Sequence, residues 1–113
     1  MNKYHNKKIV VDGLVFDSKL EANRWSELSL LVKAGEIEEL ERQKRFTLQE
    51  PFITGDGERI RAITYIADFV YKDKRTGRLI AEDAKGVKTD VYRLKKKLFL
   101  KAYPYWELRE VYK

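Results

Sequence analysis

The sequence predicts a small mixed α/β domain of the α+β kind, a mixed β-sheet flanked by two helices and preceded by an N-terminal β-hairpin. Three observations predict it. Alternating or apolar runs recur between turn signals, two segments carry helical periodicity behind a serine or threonine cap, and 113 residues suffice for a single core. The chain is therefore read as one domain, residues 1–113.

Each element has a local reason. Residues 8–11 and 14–17 are β-type runs around Asp12-Gly13, a strong two-residue hairpin signal. Ser18 opens a helix, Glu21 stands three residues on in a capping-box pattern, and Gly35 is placed to end it. Residues 37–49 read as a strand with charged interruptions, and Pro51 with Gly55-Asp56-Gly57 marks a loop. Residues 59–72 and 78–85 read as two strands that pair antiparallel through the short turn 73–77. Thr89 caps a second helix running to about Tyr103, and Pro104 stops it. Residues 106–112 alternate as a final strand.

Composition narrows the chemistry. Hydrophobic residues make up 43% and charged residues 37%, as in a soluble protein with a densely charged surface. No run approaches the roughly 18 apolar residues of a membrane helix, and Met1-Asn2-Lys3-Tyr4-His5 begins no signal peptide, so the expectation is a cytoplasmic protein with no membrane partner. Cysteine is absent and His5 is the single histidine, which excludes thiolate nucleophiles and argues against histidine triads and zinc clusters. Catalysis would have to run on carboxylates, lysines and a hard, oxygen-seeking cation. The 24 Lys and Arg exceed 18 Asp and Glu, giving +6 and a pI near 9.5. That excess suits a polyanionic partner, nucleic acid first, although solubility alone explains it about as well.

The acids that stand out are Asp68, Asp83 and Glu21. Asp68 interrupts the apolar run Ile63-Thr64-Tyr65-Ile66-Ala67-Asp68-Phe69-Val70-Tyr71, and an ionised carboxylate there is costly unless paired, hydrogen-bonded or metal-bound. Alternation places Ile63, Tyr65, Ala67 and Phe69 on one face and Ile66, Asp68 and Val70 on the other. The same rule puts Asp83 and Lys85 on a common face with Glu82 opposed, and the antiparallel hairpin brings Asp68 near Asp83. On the first helix, Glu21 shares a stripe with Trp25, Leu28 and Val32, flanked by Leu20 and Leu31, so it faces the core. Each acid also has a plain structural reading: Glu21 as half of the capping box, Asp68 as a satisfied buried acid, Asp83 with Lys85 as an ion pair.

This constellation resembles the PD-(D/E)XK nuclease superfamily, which includes restriction endonucleases, Holliday-junction resolvases and transposon-end endonucleases. Its pattern is a helix glutamate, a strand aspartate and an acid-x-lysine in the next strand, matched here by Glu21, Asp68 and Asp83-Ala84-Lys85. Ala67 stands where a proline often precedes the first aspartate. More closely, nearly the whole chain resembles small phage- and prophage-encoded proteins of unassigned function. The segments carrying that likeness are Val11-Asp12-Gly13, Phe16-Asp17-Ser18-Lys19 with Glu21, Tyr65-Ile66-Ala67-Asp68-Phe69, Glu82-Asp83-Ala84-Lys85-Gly86-Val87-Lys88-Thr89 and Leu94-Lys95-Lys96-Lys97.

The resemblance implies a restriction-endonuclease-like fold and a Mg²⁺-dependent DNA endonuclease of phage type, working in a bacterial host cell on substrates that include branched or junction DNA. Asp68 and Asp83 would hold Mg²⁺, or Mn²⁺ in its place, with Glu21 completing the shell directly or through water. Lys85 would orient or deprotonate the attacking water or neutralise the transition state. No small-molecule cofactor is implied. The alternative is a non-catalytic nucleic-acid-binding phage protein that retains the fold.

Helix two adds a basic face. Arg93, Lys95, Lys96, Lys97 and Lys101 follow Lys88 and Thr89, and read as contacts to DNA phosphates or as an ordinary solvated face. Lys88 and the N–H groups after Thr89 form a possible phosphate seat at the helix start. Val91, Leu94, Leu98 and Ala102, widened by Phe99, form the expected apolar stripe. Lys95 falls inside that stripe, as a phosphate or carboxylate partner or as a snorkelling lysine, while Lys96 and Arg93 point away. Leu30 and Leu100 lie opposite their helices' stripes and mark a candidate homodimer surface.

Overall fold

Asp12 and Gly13 both adopt positive φ, 52° and 78°, the conformation a tight two-residue hairpin demands of its turn. They join β1 (Ile9–Val11) to β2 (Leu14–Phe16), which pair antiparallel from Val11↔Leu14 to Ile9↔Phe16. The computed structural model describes residues 8–84 and 88–112. Ser18 caps α1 (Lys19–Lys33), its hydroxyl accepting from the Glu21 N–H at 3.1 Å, and Gly35 at φ 77° turns the chain out of the helix. A long strand β3 (Ile37–Gln49) follows, then β4 (Phe52–Ile53) and β5 (Arg59–Ile60), β6 (Ile63–Asp73), β7 (Leu79–Ala84), α2 (Asp90–Ala102) and β8 (Trp106–Val111).

The main sheet has the order β3-β6-β7-β8. Its first two pairings are antiparallel and β7–β8 is parallel, because α2 carries the chain back across the sheet before β8 begins. The sheet is therefore mixed, as expected. One boundary differs. The run 59–72 is not one strand: β5 turns back on β4 as a separate small hairpin, pairing Phe52↔Ile60, and β6 starts at Ile63. The segment read as a loop thus contains one short strand, β4, and the start of the run read as one strand is its partner, β5.

Two cores cover the two faces. Phe16, Ala22, Leu28, Ile37, Phe69, Tyr71 and Ile80 form one beneath α1 and the N-terminal hairpin. Phe46, Tyr65, Ala67, Val70, Ala81, Tyr92 and Phe99 form the other beneath α2. Aromatic rings dominate the second, with Phe46 edge-on to Phe99, Tyr103 and Trp106 at centroid distances of 4.9, 5.1 and 5.0 Å.

The facing expected for β6 is corrected by these cores. Tyr65 and Ala67 share a core with Val70, whereas Phe69 and Tyr71 belong to the opposite one, and Ile66 is exposed. The strand reverses its facing at Asp68. Gln43, across from it on β3, takes φ 53°, while the flanking pairs Arg42↔Phe69 and Lys44↔Ala67 keep one register. A second irregularity lies at Glu39, φ 58°, where the register shifts between Glu38 and Glu41 in the manner of a β-bulge.

Helix phases also need correction. On α1, Ala22 and Leu28 are buried while Val32 is exposed, so the buried stripe is rotated from the expected one. On α2 the buried residues are Tyr92 and Phe99, and Val91 and Leu94 are 63% and 58% exposed. The helix turns its aromatic side to the sheet because Phe46, Tyr65 and Trp106 offer rings a matching surface. Among the described residues, no helix is long and apolar enough to cross a membrane.

Candidate functional site

The β6–β7 ladder runs from Lys72↔Leu79 to Phe69↔Glu82. One more step would set Asp68 directly opposite Asp83. Instead the strands part, and Asp68 Oδ2 accepts a hydrogen bond from the backbone N–H of Ala84 at 2.7 Å. The carboxylate takes the place of a ladder carbonyl. On its other side, Gln43 Nε2 stands 3.4 Å from Asp68 Oδ1. Asp68 is half-buried at the point where the sheet splays.

Alternation along β7 sends Glu82 and Asp83 to opposite faces, and both are buried. Asp83, 2% exposed, turns toward α2, where the Tyr65 hydroxyl donates to Oδ2 at 2.5 Å. Burial and this bond push the Tyr65 phenol far above its ordinary pKa, so it stays a donor. Glu82, fully buried, turns toward α1. Arg24 Nε and Nη2 donate to its two oxygens at 2.7 and 2.6 Å, and the Tyr71 hydroxyl donates as well. A bidentate guanidinium–carboxylate pair of this kind fixes relative orientation as well as distance. Arg24 lies one helical turn beyond Glu21, and Glu82 adjoins Asp83. The buried pair thus fastens together the two elements that carry Glu21 and Asp83.

Glu21 is half-buried at the start of α1. Its pKa is pushed up to about 7, first by burial and then by the charges of Asp68 and Asp17, with Asp83 adding a smaller push; Arg42 pulls the other way. Arg42 is itself held in place, 4.2 Å over the Phe16 ring and donating to the Val15 carbonyl at 2.7 Å. Of the three acids expected to converge, Asp68 and Asp83 lie at the same end of the β6–β7 pair; Asp83 turns to the α2 face and Glu21 stands on α1 over the opposite face, where the charge of Asp68 acts on it more than that of Asp83. Lys85 lies outside the described residues.

The donor set is all oxygen, which suits Mg²⁺ or Mn²⁺. Among the described residues no three acidic side chains form a ready-made cation cage. Mg²⁺ does not require one, since it keeps several waters and takes only one or two protein carboxylates. Burial, and after it the charges of Asp68 and Asp17, raise Glu21, a setting in which a divalent cation would relieve the repulsion.

The basic residues of α2 divide. Lys88 and Lys96 both pair with Glu110 on β8, at 3.0 and 3.3 Å, so Lys96 faces the sheet rather than away from it. Burial opposes ionisation of Glu110, but bonds from Tyr92, Lys88, Lys96 and Tyr112 overcome it and hold its pKa down at about 2. The Thr89 hydroxyl accepts from the Tyr92 N–H at 3.0 Å and is the helix cap. Arg93 pairs with Asp90 at 3.2 Å, Lys95 is half-buried, and Lys97 is exposed. Leu30 and Leu100, 64% and 44% exposed, sit on helices that cover opposite faces of the sheet.

Sequence reasoning missed Arg24, Tyr71 and Glu82 as a unit, Tyr65 as the partner of Asp83, and Gln43. A signal existed for Glu82: an acid beside Asp83 in the apolar run Leu79-Ile80-Ala81 needs its own cation on the other face. Arg24 is the cation that α1 offers one turn from Glu21.

The profile of the family described as a protein of unknown function, DUF1064, matches residues 1–113, and the chain belongs to that family. No curated protein matches the chain.

Proposed function

We propose that this member of the DUF1064 family is a divalent-metal-dependent DNA endonuclease, with branched or junction DNA as its substrate. The observation that carries the reading is the placing of Asp68, bonded to the Ala84 N–H, next to the buried Asp83 where β6 and β7 part, with burial and their charges raising Glu21 at the start of α1. Acids from three separate elements, placed where two strands part, are costly for a fold that uses them only as structure.

Glu21, Asp68 and Asp83 would hold Mg²⁺, or Mn²⁺ in its place. The cation would supply charge neutralisation at the phosphate and a more acidic bound water. The protein's own residues do the rest. Tyr65 fixes the rotamer of Asp83, the Ala84 N–H fixes Asp68, and the Arg24–Glu82 pair keeps α1 and its Glu21 beside them. Lys85 follows Asp83 by two residues and is assigned the role of orienting the attacking water or neutralising the transition state. Lys88, Thr89, Arg93, Lys95, Lys96 and Lys97 are assigned to the DNA backbone, with Lys88 and Lys96 leaving Glu110 to reach it. Leu30 and Leu100, on opposite faces, do not form one surface, and a homodimer through either face would present two such sites to two strands. A cytoplasmic place in a phage-infected bacterial cell belongs to the same reading.

The test compares the unsubstituted chain with Asp68→Ala and Lys85→Ala on branched and linear DNA with Mg²⁺. The expected outcome is cleavage lost by at least about a hundredfold in both variants while DNA binding survives. Cleavage equal in all three proteins would overturn the assignment. DNA binding without any cleavage in the unsubstituted chain would favour a non-catalytic binding protein that keeps the fold.

A further inference from the structure

At the end of the sheet away from Asp68, a cavity of about 440 Å³ opens between α1, the β6–β7 turn and the edge strand β8. Four of its lining residues are cations, Arg24, Lys74, Arg75 and Arg109, against two acids, Glu36 and Asp73. The cations come from three elements and converge. Asp73 is already engaged by its own turn, accepting from the N–H groups of Arg75 and Thr76 at 2.8 and 3.3 Å.

The cavity has a fixed floor and a free rim. Tyr71, 4% exposed, lines it and donates to the buried Glu82 that also holds Arg24. Arg109 is tied through Nε to Glu107. Lys74 and Arg75 are exposed and, among the described residues, form no ion pair. Arg24, engaged by Glu82 and Glu27, and Arg109, engaged by Glu107, form a restrained floor, and the two uncommitted cations above it, Lys74 and Arg75, suit one tetrahedral anion.

We propose that this cavity binds a backbone phosphate of the DNA strand on which the acid cluster acts, an inference that rests on the nuclease reading. On α1 the cavity's lining begins at Arg24, one helical turn from Glu21, and ends at Leu31, ten residues or about 15 Å along a helix from Glu21. Five residues of β6 separate Asp68 from Asp73, about 16 Å along a strand. Phosphates of one strand recur every 3.4 Å or so along a duplex axis, so the rim at Lys74 and Arg75 meets the backbone roughly five nucleotides from Asp68. An anchor at that spacing sets the register of the strand without reading its bases.

The experiment measures binding of a fluorescent duplex by anisotropy over a salt series, with Ca²⁺ replacing Mg²⁺. It compares the unsubstituted chain with Lys74→Ala/Arg75→Ala, whose changes fall on an exposed turn. The double variant is expected to bind about tenfold more weakly and to lose about one unit of salt slope, the signature of one phosphate contact. Its Mn²⁺ affinity is expected to match that of the unsubstituted chain. Unchanged DNA affinity and slope would overturn the inference and leave the nuclease reading standing. Inorganic phosphate shifting the Arg109 resonance while the variant keeps its DNA affinity would likewise overturn it, assigning the cavity to a free anion. An unsubstituted chain that binds no DNA would overturn both.

Discussion

Glu21 and Glu110 are acids of opposite habit, and between them they set a pH window. Burial and then the charge of Asp68 raise Glu21 from the ordinary 4.5 to about 7. Between those values the folded chain holds a proton that the unfolded chain has released, so stability falls as pH rises through the window and levels off above it. Glu110 runs the other way: despite burial, bonds from Tyr92, Lys88 and Lys96 lower it to about 2, so its contribution is present above 4.5 and is lost as pH falls toward 2. Without divalent cations the chain should be most stable near pH 5. Glu21→Gln should remove much of the decline on the alkaline side, raising the melting temperature at pH 8 by a few degrees or so, as scanning calorimetry in chelator would register. A variant that melts with the same pH profile as the unsubstituted chain would contradict the acid repulsion invoked here.

At the scale of elements, the join between α1 and β7 depends on one buried ion pair. Arg24→Ala alone strands the Glu82 carboxylate and should cost about 3–5 kcal/mol in denaturant unfolding. Replacing the group together, Arg24→Met with Glu82→Leu and Tyr71→Phe, should cost little, because an apolar trio of similar volume can fill the same space. If the pair positions Glu21 relative to Asp83, that stable triple variant should still bind Mn²⁺ about tenfold more weakly. Unchanged Mn²⁺ affinity would reduce the pair to simple scaffolding. Element boundaries were largely legible because their signals are local: Asp12-Gly13, Ser18, Gly35, Thr89 and Pro104 each act within a few residues. Facing was not, because it depends on partners. Tyr92 displaced Val91 and Leu94 from the interface of α2 through rings supplied by Phe46 and Tyr65, and β6 reversed at Asp68 opposite a positive-φ glutamine no alternation rule foresees.

Over the whole molecule, among the described residues, Glu21, Asp68 and Asp83 stand near the splay of the sheet with Arg42 close to Glu21, and further cations lie on the outer part of α2 and around the cavity at the other end. That placing gives part of the net charge of +6 a geometry, with basic surfaces on either side of the acids along which a polyanion can lie. The acid centre was legible because Glu21, Asp68 and Asp83 are each misplaced in their own segment, a conflict between local pattern and residue type. Its supports, Tyr65, Gln43 and Arg24, were not, since a tyrosine or arginine in an amphipathic segment raises no such conflict. The most direct measurement of the central claim is calorimetric titration of Mn²⁺ at pH 7 in two buffers of different ionisation enthalpy. One cation per chain should bind with release of about half a proton, the proton Glu21 carries at that pH, and both binding and release should be lost in Asp68→Asn/Asp83→Asn. Binding of the same strength in that double variant, or binding with no proton released, would contradict that claim.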